Sequence, residues 1–358
     1  MGRKIKPRPP VRPTMFLLVV IVVGLLTLFG LAKLGKINVN KAFTEEKKDV
    51  AQEIVCVSTD LLTGVCHDSE KLARPVVGVM LDNAPEARPQ SGLAAVYPAN
   101  GGASLVFEAI AEFPYTRFLA FYSSPESMPD KIGPVRSARK YFVEWAKEFD
   151  AAYVHCGGSP EGLDVLKELD VKDLNEFYNS KYFYRSWTQA APHNVYTSKK
   201  TIISAVSDKD WDDVGAIASW NFKDDVVFDA RPLSQEIKID FGSSAFVVDW
   251  KYDQRENVYA RQQGGVDVKI SSKNVAVMYV DSKVVDNVGR RQMQTVGAGK
   301  AVVFRDGMAT VGEWRRPDIL SRTRFYDEAG VEIFFNRGAT WIEVVPSDMP
   351  DAVFYVAS

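Results

Sequence analysis

The chain has 358 residues, enough for one large domain or two ordinary ones. With 46% hydrophobic and 25% charged residues and a formal net charge of -2, it is neither a disordered nor a collagen-like chain, nor a wholly basic nucleic-acid binder. The balance hides a segregation: residues 1–36 carry Arg3, Lys4, Lys6, Arg8, Arg12, Lys33 and Lys36 with no acid, a charge of +7, which leaves -9 for the rest.

Residues 1–14 form a basic, Pro-rich head. The run MFLLVVIVVGLLTLFGLA at 15–32 holds no charge. As a helix it would be about 27 Å long, close to the roughly 30 Å of a bilayer core. More basic residues precede than follow it, which points the N-terminus to the cytoplasm. The apolar run is longer than that of a cleaved signal peptide, GLAKLG is a poor cleavage site, and no Cys follows for lipidation. The expectation is a single-pass signal anchor in the cytoplasmic membrane with everything after it extracytoplasmic.

Residues 33–72 read as a polar linker, in which Cys56 and Cys66 could close a small disulfide loop or remain free thiols. Cys156 reads as a small buried apolar residue. No CxxC and no zinc-like spacing is present, so neither metal nor cofactor is expected.

A mixed α/β domain is expected over 73–205. In RPVVGVMLDN at 74–83, Pro75 precedes a short apolar run that reads as a buried strand ending at Asp82 and Asn83. ASLVFEAIAEF at 103–113 is ambiguous between strand and helix, and TRFLAFYS is a strand. In IGPVRSARKYFVEWAKEFD, apolar residues recur at spacings of three and four, which predicts a helix with Pro134 in its first turn. AAYVHC, GGSP and EGLDVLKEL then give strand, glycine turn and helix, with Ser159 as N-cap and Pro160 next. Residues 206–229 read as a connection. From 230 to 356, runs such as EIKIDF, AFVVDWKYD, VAVMYV and AVVFRDG indicate a mainly antiparallel β domain, with a tight turn at Asp306-Gly307. The fold class is therefore α+β: a transmembrane helix, a mixed α/β domain, then a β domain.

Candidate chemistry centres on cations and turns. Arg136 with Arg139 and Lys140 would share a helix face near its N-terminus, where free backbone N–H groups and guanidinium forks could hold an anion. A solvated or salt-bridged face is the plain alternative. The Gly157-Gly158-Ser159 turn could add N–H donors, although it lacks the length and Lys of a P-loop. Arg117, Asn83 and Asn194 are expected to line the same cleft at strand ends. As acids or bases, His155, His193, Glu108 and Asp82 are candidates; a Ser159 triad lacks the G-x-S-x-G elbow. Of the aromatics Phe121, Tyr122, Tyr182, Tyr184 and Trp187, most should be core, while an exposed ring could stack on a sugar. Arg290, Arg291, Arg315 and Arg316 stand beside turns, where paired arginines usually face solvent.

The runs VGVMLDN, ARPQSGL, TRFLAFY, KIGPVRSARKYFV, VHCGGSP and APHNVYTS resemble the core of the YerB-like family of bacterial lipoproteins, a domain of unknown function. WKYDQRENVYAR, the GRR segment and NRGATWIEVV resemble its C-terminal domain, so the likeness covers about 73–350. It implies a protein tethered outside the cytoplasmic membrane, with no settled activity to transfer. The matched motif residues include Arg88, Pro89, Gln90, Gly133 and Pro134 beside the candidates above. The missing lipidated Cys, and an insertion between Leu93 and Glu108, depart from that pattern. The expected function is binding of an anionic cell-wall polymer or glycan, or scaffolding of envelope proteins, with no nucleic acid involved; a cell-wall hydrolase or transferase is the alternative.

Overall fold

The computed structural model describes residues 56–67, 75–93, 102–212 and 217–356. The predicted anchor at 15–32 lies outside them, and among the described residues no helix is long and apolar enough to cross a membrane.

A ten-stranded mixed sheet dominates. In chain order its strands are β1 (Val77–Asp82), β2 (Leu105–Glu112), β3 (Tyr115–Tyr122), β4 (Ala152–His155) and β5 (Lys172–Asn175) from the first half. The helices α1 (Lys140–Lys147) and α2 (Pro160–Glu168) flank β4 in sequence. The short pair β6 (Tyr184–Arg185) and β7 (Val195–Tyr196) follows, and α3 (Lys199–Asp208) ends this half. The second half opens with β8 (Glu236–Asp240), β9 (Val247–Asp253), β10 (Val258–Gln263) and β11 (Val266–Ser272). It continues with β12 (Asn274–Val280), β13 (Gly297–Arg305), β14 (Met308–Arg316), β15 (Arg324–Asp327), β16 (Thr340–Pro346) and β17 (Val353–Tyr355).

The ten-stranded order is β15-β14-β13-β12-β16-β2-β3-β1-β4-β5, and a five-stranded antiparallel sheet runs β11-β10-β9-β8-β17. A mixed α/β half followed by mainly antiparallel β structure is what the sequence predicts. The two halves nevertheless share one sheet, because β16 pairs in parallel with β2, Ile342 opposite Phe107 and Glu343 opposite Glu108. Both central strands are apolar almost throughout and buried along nearly their whole length, as strands covered on both faces must be. On one face Phe107 stacks on Trp145 of α1 at 5.1 Å, and Phe121 meets Phe149 at 4.3 Å. On the other, Trp341 contacts Phe118 and, from the five-stranded sheet, Trp250 at 5.4 Å.

The ambiguous 103–113 run is strand β2, and the Asp306-Gly307 turn joins β13 to β14. The long helix predicted from IGPVRSARKYFVEWAKEFD is a correction. Only Lys140–Lys147 is helical, with Arg139 in extended conformation as its N-cap. Pro134 has no N–H and holds Gly133 out of helical geometry. The segment instead threads between strands: Val135 N–H bonds Val195 O, Arg136 N–H bonds Met80 O, and Cys156 N–H bonds Arg136 O. Arg136, Arg139 and Lys140 therefore do not share a helix face.

The loop from Cys56 to Cys66 is closed by a disulfide, one of the two alternatives open in the sequence. Arg291 and Arg316 are buried rather than solvent-facing, and Arg316 donates to four backbone carbonyls, those of Glu144, Thr295, Ile319 and Ser321.

Candidate functional site at the carboxyl ends of three parallel strands

β1, β4 and β5 run parallel and end side by side at Asp82, His155 and Asn175. The carboxyl ends of parallel strands are where open α/β sheets present ligand-binding loops. Six loop or strand-end polar residues gather there in two adjoining clusters. Asp82 Oδ1 accepts the Ala84 N–H, while Oδ2 lies 2.6 Å from His193 Nδ1 and 3.0 Å from Arg136 Nε. A carboxylate only accepts, so Nδ1 carries the proton of that bond and Nε2 holds the neutral ring's lone pair. Arg136 also donates through Nη1 to Pro192 O at 3.3 Å; its Nη2 has no bond among the described residues. The Arg136 and His193 side chains are each one-fifth exposed.

A second cluster adjoins through the 193–194 pair. Arg185 bridges Glu176, just after β5, and Asn194, at 3.0 Å each. Cys156 lies between the clusters and donates to Glu176 at 3.5 Å. Burial, and secondly the Glu176 charge, push its thiol pKa up to about 11, so it is no nucleophile at neutral pH.

His155 is fully buried, with Nδ1 2.7 Å from Gly157 O and Nε2 2.8 Å from Asp173 Oδ1. Both nitrogens face protein oxygens inside the fold, so neither is presented to a ligand at the surface. Gly157, at φ 65°, donates its N–H inward to Asn175 rather than outward. Gly158 bridges to Ala138, and Ser159 caps α2 by accepting from Gly162 N–H. The turn thus organises the strand ends, with the Gly157 and Ser159 N–H groups bonded inside the fold.

Asn83 and Glu108 are sealed beneath this face. Asn83 donates to Glu108 at 3.0 Å and to Thr116 at 2.7 Å, and its own oxygens accept from Arg88 and Gln90. Arg88 and Gln90 therefore serve the strand end as guanidinium and amide donors. Glu108 pairs with Arg261, whose guanidinium lies 4.8 Å from the Trp341 ring centre, and stands beside Glu343. Burial pushes the Glu343 carboxyl well up, and the neighbouring Glu108 charge adds to it.

Arg117 and Arg139 form a third group around Glu112. Arg117 bonds Glu112 Oε2 at 2.9 Å, and Arg139 bonds Oε1. Burial opposes the lowering of the Glu112 pKa, but the two guanidinium groups hold it below the ordinary carboxylate value. Burial also pushes Arg117 down to about 10, which still leaves it charged. Arg139 and Ser159 reach a cavity of about 230 Å³ with Lys140, Arg290 and Arg291, faced by the acids Glu161, Asp164 and Glu168. A larger cavity of about 500 Å³ near Arg315 and Arg322 is remote from the strand ends.

Of the residues expected to bind or react, the structure brings Asp82, Arg136, His193 and Asn194 to one face and buries Asn83, Glu108 and His155. It places Arg117 and Arg139 on Glu112. Glu112, Glu176, Arg185, Arg261 and Glu343 were not singled out from sequence. An acid inside an apolar strand, as in IEVV, is the one signal that could have marked Glu343.

Two family models match the chain: the "Protein of unknown function (DUF3048)" N-terminal domain over residues 62–212 and its C-terminal domain over 237–342. A Bacillus subtilis (strain 168) protein named "Putative lipoprotein YerB" is 29% identical over 313 residues, covering 84% of this chain and 90% of its own. The crystal structure of the YerB protein from Bacillus subtilis aligns with a TM-score of 0.72 at 30% identity, covering 84% of this chain and 99% of that one. With both models matched in order and the fold shared, the chain belongs to the YerB-like DUF3048 family.

Proposed function

We propose that this protein is a membrane-tethered, extracytoplasmic envelope protein that binds an anionic envelope ligand at the carboxyl ends of β1, β4 and β5. The uncharged run at 15–32 and the lipoprotein name of its relative support the location. The observation that carries the binding reading is Arg136: Asp82 and Pro192 hold its guanidinium at the mouth of the strand ends, with Nη2 free to donate. A fixed fork loses little entropy when it bonds a phosphate or carboxylate. Arg139, by contrast, is consumed by Glu112 and does not belong to the binding set.

The test is binding of purified anionic wall polymer to the full chain in detergent micelles across a salt series. Arg136→Ala should weaken binding by about tenfold and flatten its salt dependence, as loss of a charge-assisted bond predicts. Unchanged affinity would overturn the reading.

One observation favours a second reading, acid–base chemistry on a wall glycan: the 2.6 Å contact that orients His193 on Asp82. Such an oriented imidazole is the usual partner of a proton transfer. Product formation from wall fragments, abolished in His193→Ala, would support it; no product with the native chain would remove it.

A further inference from the structure

Around the same face the exposed apolar surface has an unusual composition. Phe177, Tyr178, Tyr184 and Trp187 are 64%, 84%, 43% and 94% exposed, four rings within eleven residues. The aliphatic Val195 of this stretch is buried, so the large apolar side chains exposed between 175 and 197 are aromatic, beside the small Ala190, Ala191 and Pro192. Large exposed rings are informative because burying them is so favourable.

Each ring is held by local structure. Phe177 follows Asn175, which accepts its N–H, and its ring lies over Gly157, where an added Cβ would meet it at 3.0 Å. Tyr184 stacks on Tyr196 at 5.8 Å across the β6–β7 pair. Trp187 stands at the tip of a turn closed by Thr188 N–H donating to Ser186 Oγ at 3.3 Å. Arg185 ties the segments together through Glu176 and Asn194. The same stretch of chain carries the planar polar side chains of Asn179, Arg185, Gln189 and Asn194.

We infer that this rim recognises a pyranose oligosaccharide. A sugar ring offers C–H faces to aromatic rings and hydroxyls at its edge to amides, carboxylates and guanidinium groups. Rings standing in one short stretch with the amide and guanidinium side chains of Asn179, Arg185, Gln189 and Asn194 supply both halves of that recognition. Tyr and Trp side chains also lose little entropy on binding. The inference deepens the binding reading above by naming the saccharide part of the ligand: the rings grip the chain, while Arg136 takes its charge.

The experiment uses the full chain in detergent micelles and an uncharged N-acetylglucosamine tetramer, followed by calorimetry and saturation-transfer NMR. The native chain should bind, and the double variant Trp187→Ala/Tyr178→Ala should lose affinity by about tenfold or more. Both side chains face solvent, so the fold should be retained, which circular dichroism checks. Phe354→Ala, an exposed ring on the edge strand β17, should change nothing.

Absence of binding, or equal binding by the double variant, overturns the inference. So does an envelope protein captured through Trp187 that the tetramer cannot displace. Tetramer binding without any Arg136 effect on anionic polymer sinks the anion reading alone; polymer binding without tetramer binding sinks the saccharide inference alone.

Discussion

Glu343 stands opposite Glu108 in the parallel register of β16 and β2, and both carboxyls are fully buried between the two sheets. One guanidinium, Arg261, bonds Glu108, while Trp250 Nε1 donates to Glu343 at 2.8 Å. One guanidinium faces two carboxyls, and burial first, then the Glu108 charge, raises the Glu343 carboxyl well above its ordinary value.

Glu343→Gln should therefore cost less than about 1 kcal/mol near neutrality, because an amide can keep both hydrogen bonds. Arg261→Met should cost about 3–5 kcal/mol, since it strands a buried carboxylate. The sign of the pH effect follows from a raised acid pKa. Native stability is greatest below the unfolded value and falls as pH rises above it, so Glu343→Gln should gain on the native chain between pH 5 and 8. Urea unfolding at the two pH values measures this. A constant difference would show that Glu343 is already ionised.

Glu112 gathers Arg117 and Arg139, and both guanidinium groups are nearly buried. Glu112→Gln should destabilise the chain by about 3–5 kcal/mol, through two buried cations left without an anion. The folded pKa of Glu112 lies below its ordinary value of 4.5. Its contribution is thus complete above pH 4.5 and is lost as pH falls through the folded value. Acid unfolding of the variant should be correspondingly less steep; an unchanged acid limb contradicts the clamp.

The Cys56–Cys66 bridge closes a sequence separation of 10 residues. Loop closure of that length should add about 3 kcal/mol to stability. Cys56→Ser/Cys66→Ser should lower the urea midpoint accordingly and leave the ten-stranded sheet intact by circular dichroism. An unaltered midpoint would show that the 56–67 hairpin frays independently of the rest.

Gly312 sits on β14 where it pairs with β15, and an added Cβ would lie 1.8 Å from Tyr326 O. That atom is backbone and cannot step aside. Gly312→Ala should cost about 1–3 kcal/mol and speed amide exchange in Arg324–Asp327, while the remote β1–β4 pair keeps its protection. Uniform loss of protection would mean that this edge is part of the global folding unit.

Periodicity and turn chemistry made much of the fold legible. The buried strand ending at Asp82-Asn83, the strand–GGSP–helix unit and the Asp306-Gly307 hairpin all depend on interactions within a few residues. The helix expected over 132–150 forms only in part, because its apolar spacing is satisfied twice over. Phe142, Trp145 and Phe149 pack from a short helix and its end, whereas Val135 and Ala138 pack from an extended segment whose backbone bonds lie on distant strands. Local pattern reports which side chains are apolar, not which backbone partners will arrive. The same limit divided the arginines: Arg136 and Arg139 look equivalent in PVRSARK, yet one meets Asp82 and the other Glu112.

The sequence by itself determined the charge segregation, the uncharged run at 15–32, the α/β-then-β order and the residue types gathered at the ends of strands, because each follows from composition or short-range spacing. Only the tertiary structure decided which of those residues reach solvent. The parallel pairing of β16 with β2 joins residues more than two hundred positions apart. That pairing buries Glu108 against Glu343, while His193 is delivered to Asp82 and the aromatic rim stays exposed. Charge pairing and burial depend on long-range contacts, and no local pattern encodes those.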